Sequence, residues 1–259
     1  MQDRYVGDIG DFGKYGLLNE ICKESNEGVR LGINWFYVRR PTREEKQRED
    51  GKHISYRYLR DENIDSKKYA VCFPDLYGKL KDIVDSGRRS IKEIENGLIL
   101  PKETIFYSKP LPYSSVNPSE REKERKNWFK ESLSQLKSAD IIFLDPDNGI
   151  PTDKVRKTQI KAIKYVFKDE IKEYYELGKS LIIYNHRDRK PKSEYDRKIT
   201  DSLGQISSRN SIEVLRFERV SVRDFIFLIQ KDHQDLMDQT IDYLSSGPCK
   251  FLFERYKLD

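Results

Sequence analysis

Two short segments of the sequence carry the side chains best suited to chemistry, and both combine aspartate with glycine. The first is Gly7-Asp8-Ile9-Gly10-Asp11, and the second is Asp145-Pro146-Asp147-Asn148-Gly149. Carboxylates can accept hydrogen bonds from a substrate, move protons or bind a divalent cation, and glycine lets the backbone approach a ligand closely. We expect the chemistry of this protein where the two segments meet.

The second segment follows a predicted buried strand. Ala139–Leu144 is apolar apart from Asp140, which is typical of a parallel strand covered on both faces. Ser180–Tyr184 is the next apolar run and leads to Asn185 and His186. Ligands of open parallel sheets bind beyond the carboxyl ends of the strands. The candidate catalytic residues at this edge are Asp145, Asp147, Asn148 and His186.

The elements that position these residues are predicted from hydrophobic periodicity. Further strands are predicted at Val29–Val38, Tyr69–Phe73, Thr104–Tyr107, Ile212–Phe217, Phe225–Ile229 and Phe251–Phe253. Helices are predicted over 14–23, 76–84, 91–94, 119–136, 160–174 and 236–244, with Ser119 and Glu122 as a capping box. Ile212–Phe217 and Phe225–Ile229 have a short connection, which indicates an antiparallel hairpin.

The alternation of helices and strands predicts a single α/β domain over residues 1–259. Its sheet is expected to be mostly parallel and to finish with the C-terminal antiparallel hairpin. No stretch is typical of a domain linker. The polar segments 42–52, 113–127 and 187–198 are interpreted as surface excursions.

The charge of the chain permits a polyanionic partner. Charged residues make up 36% of the chain, the net charge is +5 and the isoelectric point is near 8.8. A nucleic acid would suit this excess, but a solvated lysine-rich surface explains it equally well.

The three cysteines are predicted to be buried apolar residues. Cys22, Cys72 and Cys249 are odd in number, far apart and set in apolar runs, which favours free thiols in a reducing compartment over disulfides or zinc ligands. No apolar run has the length of a membrane helix, and Met1–Gly10 has neither the basic segment nor the apolar core of a targeting signal. These features predict a cytoplasmic protein without a membrane partner.

Three separated segments resemble one enzyme family. Residues 7–15, Gly-Asp-Ile-Gly-Asp-Phe-Gly-Lys-Tyr, resemble the Gly-Asn-x-x-Asp-x-x-Lys-His signature of the large-subunit ribosomal RNA adenine-N6 methyltransferases that act without a partner protein. Gly7, Asp11 and Lys14 match that signature in order and spacing. Ile141–Asp147 is similar to the family's strand ending in Asp-Pro-Pro-Tyr, and Leu181–Arg187 is similar to the strand that follows it.

This resemblance implies a Rossmann-like class I methyltransferase fold and S-adenosylmethionine-dependent methylation of an adenine in RNA or DNA. Asp145 would accept a hydrogen bond from the exocyclic amine, and catalysis would be mainly positioning. Lys14 would help to place the substrate or the cofactor, so it joins the candidate catalytic residues. The candidate cofactor-binding residues are Gly7, Asp8, Asp11, Lys14, Tyr37 and His53.

Two positions depart from the family pattern. The glycine-rich turn that cradles the methionine part of S-adenosylmethionine corresponds here to Trp35–Arg39, which contains no glycine. The second proline and the tyrosine of Asp-Pro-Pro-Tyr are replaced by Asp147 and Asn148. The residues at the positions that contact the cofactor and the base in the family are therefore different in this chain.

Two other functions fit the same residues. Asp8, Asp11, Asp145 and Asp147, with Asn148, offer oxygen ligands for Mg²⁺ or Mn²⁺, and His186 offers a base, as in a metal-dependent nuclease or phosphohydrolase. The third interpretation is a non-catalytic relative that binds a nucleotide or a partner at this edge.

The remaining histidines and a basic segment complete the candidates. His53 follows the charged segment and could close over the site, whereas His233 is interpreted as structural. The basic residues of 187–198, with Tyr184 and Tyr195, could contact phosphates and stack on bases.

Overall fold

The computed structural model describes residues 1–25, 28–39, 53–60, 66–113, 115–207 and 212–259, with residues 53–55 described by their backbone alone. The α-helices of these segments are α1 (Ile9–Glu24), α2 (Ser66–Cys72), α3 (Pro74–Asp85), α4 (Ile91–Asn96), α5 (Pro118–Gln135), α6 (Lys168–Glu176), α7 (Lys192–Leu203) and α8 (Gln234–Ser246). The strands are β1 (Leu31–Asn34), β2 (Ile105–Tyr107), β3 (Ile141–Leu144), β4 (Ser180–His186), β5 (Ile212–Arg219), β6 (Ser221–Leu228) and β7 (Phe253–Tyr256).

The strands form one mixed sheet in the order β2-β1-β3-β4-β6-β5-β7. Strands β1 to β4 are parallel, β6 is antiparallel to β4, and β5 is antiparallel to both β6 and β7. The first four strands therefore end at one edge, and β6 begins at that edge. This α/β architecture is compatible with a Rossmann-like fold, and the predicted C-terminal hairpin is confirmed as β5–β6.

The core consists of two apolar layers, one on each face of the sheet. Along β3, Ile141 and Phe143 belong to one buried cluster, and Ile142 and Leu144 belong to the other. This alternation follows from the two-residue period of a strand. Residues of α1, α3 and α8 join the first cluster, and residues of α5, α6 and α7 join the second, so the sheet lies between two helical layers.

Helix α1 begins at Ile9, inside the glycine-rich segment, whereas the predicted helix began at residue 14. Gly10, Gly13 and Gly16 recur every third residue and face neighbours that leave no room for a side chain. A Cβ on Gly13 would lie 2.7 Å from the ring of Phe217, and one on Gly16 would lie 2.0 Å from the ring of Phe73. These glycines therefore allow close helix packing rather than a turn.

The predicted strand at Tyr69–Phe73 is wrong, because these residues lie in α2 and at its end. Ser66, Tyr69 and Cys72 are the buried residues of α2, and their spacing of three places them on one helical face. The apolar run was too short for its period to distinguish a helix from a strand.

Other boundaries also differ from the prediction. The strand expected over Val29–Val38 is limited to Leu31–Asn34. The helix expected over 160–174 is divided into a 3₁₀ helix, Ile160–Lys164, and α6. The excursion at 187–198 contains the start of α7, whose buried Tyr195, Ile199 and Leu203 recur every fourth residue. Part of 113–127 belongs to α5, where Asn117, not Ser119, caps the helix. The last strand begins at Phe253. The segment 42–52 lies outside the described residues.

The cysteine prediction is wrong for two of the three residues. Cys72 and Cys249 form a disulfide, with their Cα atoms 5.2 Å apart. Cys22 is a free thiol. The sequence separation of 177 residues gave no local sign of the pairing, because only the packing of α2 against the segment after α8 brings the two side chains together.

None of the helices in the described part of the chain combines the length and the apolar character that crossing a lipid bilayer requires.

Candidate functional site

The two aspartate segments meet at Lys14, which is buried. Its Nζ lies 2.9 Å from Oδ1 of Asp11 and 3.0 Å from Oδ2 of Asp145, which is 131 residues away in sequence. The ammonium group also lies 4.3 Å from the centre of the Tyr184 ring. Helix α1 supplies Asp11 and Lys14 one turn apart, and β3 delivers Asp145 from its carboxyl end. The three motif residues singled out in the sequence therefore form one ionic cluster.

Asp8 and Asp11 also have a structural role at the start of α1. The side chain of Asp8 accepts a hydrogen bond from the backbone nitrogen of Asp11 at 2.9 Å, and Asp11 Oδ2 accepts one from the nitrogen of Gly7 at 3.1 Å. These bonds satisfy amide groups that a helix start leaves without partners. Gly7 has φ +79°, a backbone conformation in which glycine is favoured. Helix capping thus accounts for part of the Gly-Asp pattern.

The turn after β3 is fixed by its neighbours. Asp147 contacts the amino group of Met1 at 3.1 Å and accepts a hydrogen bond from Gln2 Nε2 at 2.7 Å. Although burial acts in the opposite direction, these contacts lower the pKa of Asp147 below its usual value. Gly149 has φ +90°, and a Cβ there would lie 2.1 Å from Oδ1 of Asn185. Glycine is required at this position by both conformation and space.

A buried hydrogen-bond network fixes the position of this turn. Asn185 Oδ1 accepts a hydrogen bond from the backbone nitrogen of Ile150 at 2.9 Å, and its Nδ2 donates to the hydroxyl of Tyr195 at 2.8 Å. Tyr195 donates in turn to Asp224 at 2.6 Å. Arg216 completes the network with two hydrogen bonds to Asp224, at 2.8 and 2.9 Å. Strands β4, β5 and β6 and helix α7 therefore jointly position the residues that follow Asp145.

His186 and Arg223 border the cluster where β4 ends and β6 begins, and they are paired across the two strands. Burial, reinforced by the positive charges of Arg223 and Lys14, lowers the pKa of His186 to about 3. The imidazole is therefore neutral at pH 7, with one donor and one acceptor nitrogen. The rings of His186 and Tyr184 lie 5.5 Å apart.

Carboxylates outnumber cations in this cluster. Burial raises the pKa of Asp11 to about 6; Asp8 and Asp145 add to this effect, and Lys14 opposes it. Burial acts to lower the pKa of Lys14, but Asp11 and Asp145 raise it well above its usual value. Lys14 and Arg223 thus face three aspartates, so the site favours a group that donates hydrogen bonds over an anion.

Buried residues of the chain lie where the resemblance implies S-adenosylmethionine binding. The residues after β1, where the resemblance implies a glycine-rich cradle, include Trp35 and Phe36, both fully buried. Met1 and Gln2 lie across the ends of β1 and β3: the Met1 amino group contacts the carbonyl oxygens of Trp35 and Asp145, both at 3.0 Å, and the Met1 carbonyl accepts from Val38 at 3.0 Å. Met1, Gln2 and the buried Trp35 and Phe36 thus replace the glycine-rich turn that the resemblance implies after β1.

The described residues likewise offer no ready site for a divalent cation. The described residues include no group of three or more His, Cys, Asp or Glu side chains arranged to hold a metal. The ammonium of Lys14 lies between Asp11 and Asp145, and Asp147 is turned towards Met1 and Gln2. The four aspartates expected to bind Mg²⁺ or Mn²⁺ therefore already have partners or caps within the protein.

Other predicted site residues lie outside the ionic cluster. The hydroxyl of Tyr37 donates to Asp3 at 2.7 Å. Asn148 donates its backbone nitrogen to the carbonyl oxygen of Lys164 at 2.8 Å. The backbone of His53 begins a 3₁₀ helix, His53–Leu59, and its side chain lies outside the described residues. His233 hydrogen-bonds to Ser180 through Nδ1 at 2.8 Å.

The proposed base-stacking tyrosines are buried. Tyr184 is 4% exposed and Tyr195 is fully buried, because both side chains point into the core. Stacking on the surface by these two residues is therefore excluded in this structure. Exposed Arg189 and Arg197 have no carboxylate partner among the described residues, so the basic character of the segment remains available.

Arg223 and Asp224 were not predicted as site residues. Asn185 was expected at this edge, but its hydrogen bonds to Ile150 and Tyr195 were not predicted, and neither was the contact of Tyr184 with Lys14. Arg223 and Asp224 directly precede the apolar run Phe225–Ile229. Two charged residues at the start of a buried strand could have indicated a buried polar network, because such charges require partners.

Comparisons with known proteins identify no family for this chain. No model of a known protein family matches it, and no curated protein matches it in sequence. The site itself and the resemblance of the three short segments are therefore the features that bear on function.

Proposed function

We propose that this protein binds the exocyclic amino group of a nucleobase, such as adenine in nucleic acid, at the Asp145 end of β3. The contact of Lys14 with both Asp11 and Asp145 carries the proposal. It joins the residues that match the adenine-N6 methyltransferase signature to the aspartate that the resemblance assigns to the amine.

The hydrogen bonds of the cluster support an amino group as the ligand. Asp145 uses Oδ2 for Lys14, and no hydrogen bond between described residues involves its Oδ1. An amino group is a donor that matches this acceptor. A phosphate would instead meet the excess of carboxylates around Lys14, which would repel it.

A nucleic acid as the source of the base is supported by the surface beside the site. Arg187 and Arg189 leave the carboxyl end of β4, and Arg197 follows on α7. None of the three is paired with a carboxylate within the described segments. Arginines of this kind contact phosphates without reading sequence.

Class I methyltransferase ancestry is a further part of the proposal. The parallel strands β1, β3 and β4, with Asp145 after the middle one, support it. Recognition in a relative without methyl transfer is the function favoured here, because the buried residues Met1, Trp35 and Phe36 lie where the resemblance implies the glycine-rich turn for the cofactor.

Calorimetric titration with two RNA octamers tests the proposal, one containing adenosine and the other inosine at the same position. Inosine replaces the amino group by a carbonyl oxygen. We expect about tenfold tighter binding of the adenosine octamer, the effect of one hydrogen bond to a buried charged group. Asp145→Asn should remove this preference, because the neutral side chain also carries a donor.

Asp140→Asn is the matched control, since Asp140 lies at the other end of the same strand and pairs with Arg30. It should keep the preference. Equal affinity for the two octamers, or no binding of either, would contradict the proposal. Separate titrations with S-adenosylmethionine and Mn²⁺ test the other functions: binding of the first favours a methyltransferase, and binding of Mn²⁺ lost in Asp145→Asn favours a metal-dependent hydrolase.

A further inference from the structure

The Cys72–Cys249 disulfide connects elements that pack on α1. Cys72 is the last residue of α2, and Cys249 lies between α8 and β7. Helix α1 contacts both α3, which follows α2 directly, and α8. The disulfide therefore joins two parts of the structure that contact the helix carrying Asp11 and Lys14.

Aromatic side chains next to the cysteines pack closely on α1. Phe73 follows Cys72, and its ring lies against Gly16 and 5.4 Å from the ring of Phe12. The ring of Tyr69, on α2, lies 5.8 Å from Phe12 and 5.4 Å from Phe251. A displacement of α2 would therefore disturb contacts on α1.

The same packing continues to the first turn of α1. The rings of Tyr58 and Tyr69 lie 5.4 Å apart. The hydroxyl of Tyr58 donates to the carbonyl oxygen of Gly7 at 2.9 Å, and the nitrogen of Gly7 donates to Asp11 at 3.1 Å. Continuous contacts thus lead from Cys72 through two tyrosines to an aspartate of the ionic cluster.

We propose that the Cys72–Cys249 disulfide is a redox-sensitive latch over the ionic cluster. When it is intact, α2 and the 3₁₀ helix His53–Leu59 are held against the start of α1. When it is reduced, these elements separate from α1 more often, and the Asp11–Lys14–Asp145 cluster becomes more accessible. The latch depends only on the packing of these elements. It therefore does not depend on which ligand the cluster binds.

The redox step is thiol–disulfide exchange with a small dithiol. One thiolate of the reductant attacks Sγ of Cys72, and Cys249 leaves as a thiolate. Cys72 is the attacked residue because it is 8% exposed, whereas Cys249 is fully buried. The second thiol of the reductant then displaces Cys72 and closes a cyclic disulfide. Two electrons pass to the protein, and the two cysteines finish as thiols after taking up protons.

Alkylation followed by intact mass measurement tests whether the bond exists. The air-exposed 259-residue chain, denatured without reductant, should take up one iodoacetamide label, on Cys22, and reduction should increase the labels to three. Three labels without reductant would overturn the proposal. Cys72→Ser should leave Cys22 and Cys249 both reactive.

Hydrogen–deuterium exchange of the oxidised and reduced protein tests the latch. We expect on the order of tenfold faster exchange in α2 and in the first turn of α1 after reduction, with β3 and β4 unchanged. Cys72→Ser should reproduce the reduced pattern, and Cys22→Ser should behave as wild type. Unchanged exchange in α2 and α1 would overturn the latch even where alkylation shows the bond, and this outcome is independent of RNA binding.

Discussion

The residues of the ionic cluster differ in how strongly their surroundings shift their protonation. Lys14 is stabilised as a cation by two carboxylates, Asp11 holds a proton more strongly than an ordinary aspartate, and His186 holds one less strongly. Strongly shifted groups around a strand end are typical of functional sites, although ion-pair networks also produce them. The geometry is therefore suited to fixing one hydrogen-bond donor beside Asp145.

His186→Gln tests the charge state of this histidine through the pH dependence of stability. The pKa of His186 is about 3 in the folded protein and 6.5 for an ordinary histidine, so the unfolded chain binds a proton first as the pH falls below 6.5. Wild-type stability should therefore fall with pH through this window. From pH 7 to pH 4.5 the wild type should lose on the order of 2 kcal/mol more than the variant.

Urea unfolding at a series of pH values measures this difference. The raised pKa of Asp11 changes stability with pH in the opposite direction, because its stabilising effect is lost as the pH rises towards 6. Both proteins retain Asp11, so its contribution cancels in the comparison. Parallel pH profiles would show that His186 takes up protons equally in the folded and unfolded chains.

At the scale of elements, α1 is a helix whose sequence favours close contact over helical propensity. Each interior glycine costs roughly 1 kcal/mol relative to alanine. Packing against Phe73, Phe217 and Tyr184 offsets this cost, because the rings approach the helix backbone directly. The short distance between α1 and the sheet is what allows Lys14 to reach Asp145.

Gly16→Ala and Gly78→Ala form a matched pair of substitutions in helices. A Cβ on Gly16 would lie 2.0 Å from the Phe73 ring, whereas one on Gly78 has no neighbouring atom within 4 Å. We expect Gly16→Ala to destabilise the protein by about 1–3 kcal/mol through overpacking. Gly78→Ala should stabilise it by roughly 0.5–1 kcal/mol. Denaturant midpoints measure both, and two changes of the same sign would contradict this account of α1.

At the scale of the whole molecule, distant segments close around one sheet. The helices of each layer pack on alternate residues of the same strands. The disulfide then restrains the chain over a separation of 177 residues. Such a cross-link stabilises a fold chiefly by limiting the unfolded chain, and its effect grows with the length of the loop.

The double substitution Cys72→Ser and Cys249→Ser tests this restraint. We expect the free energy of unfolding to fall by up to about 5 kcal/mol relative to the oxidised protein, the value for a loop of this length. Reduced wild-type protein should unfold at nearly the same urea concentration as the variant. Coinciding curves for the oxidised protein and the variant would show that the bond contributes no stability.

The sequence by itself determined the features that depend on local pattern. The period of apolar residues located β3, β4, α3 and the β5–β6 hairpin, because burial on a strand or a helix repeats with a fixed period. The position of Asp145 after an apolar run placed it correctly at the sheet edge, together with His186.

The tertiary structure alone decided the contacts between distant residues. Lys14 meets Asp145, and Cys72 meets Cys249, only because α1 and α2 pack on the same layer. The contacts of Met1 with Trp35 and Asp145 have no local signal either. The helical conformation of the residues from Tyr69 to the end of α2 was decided by burial of one face of that helix against α1. Periodicity describes which side of an element is buried, but the partner on that side depends on the packing of the entire chain.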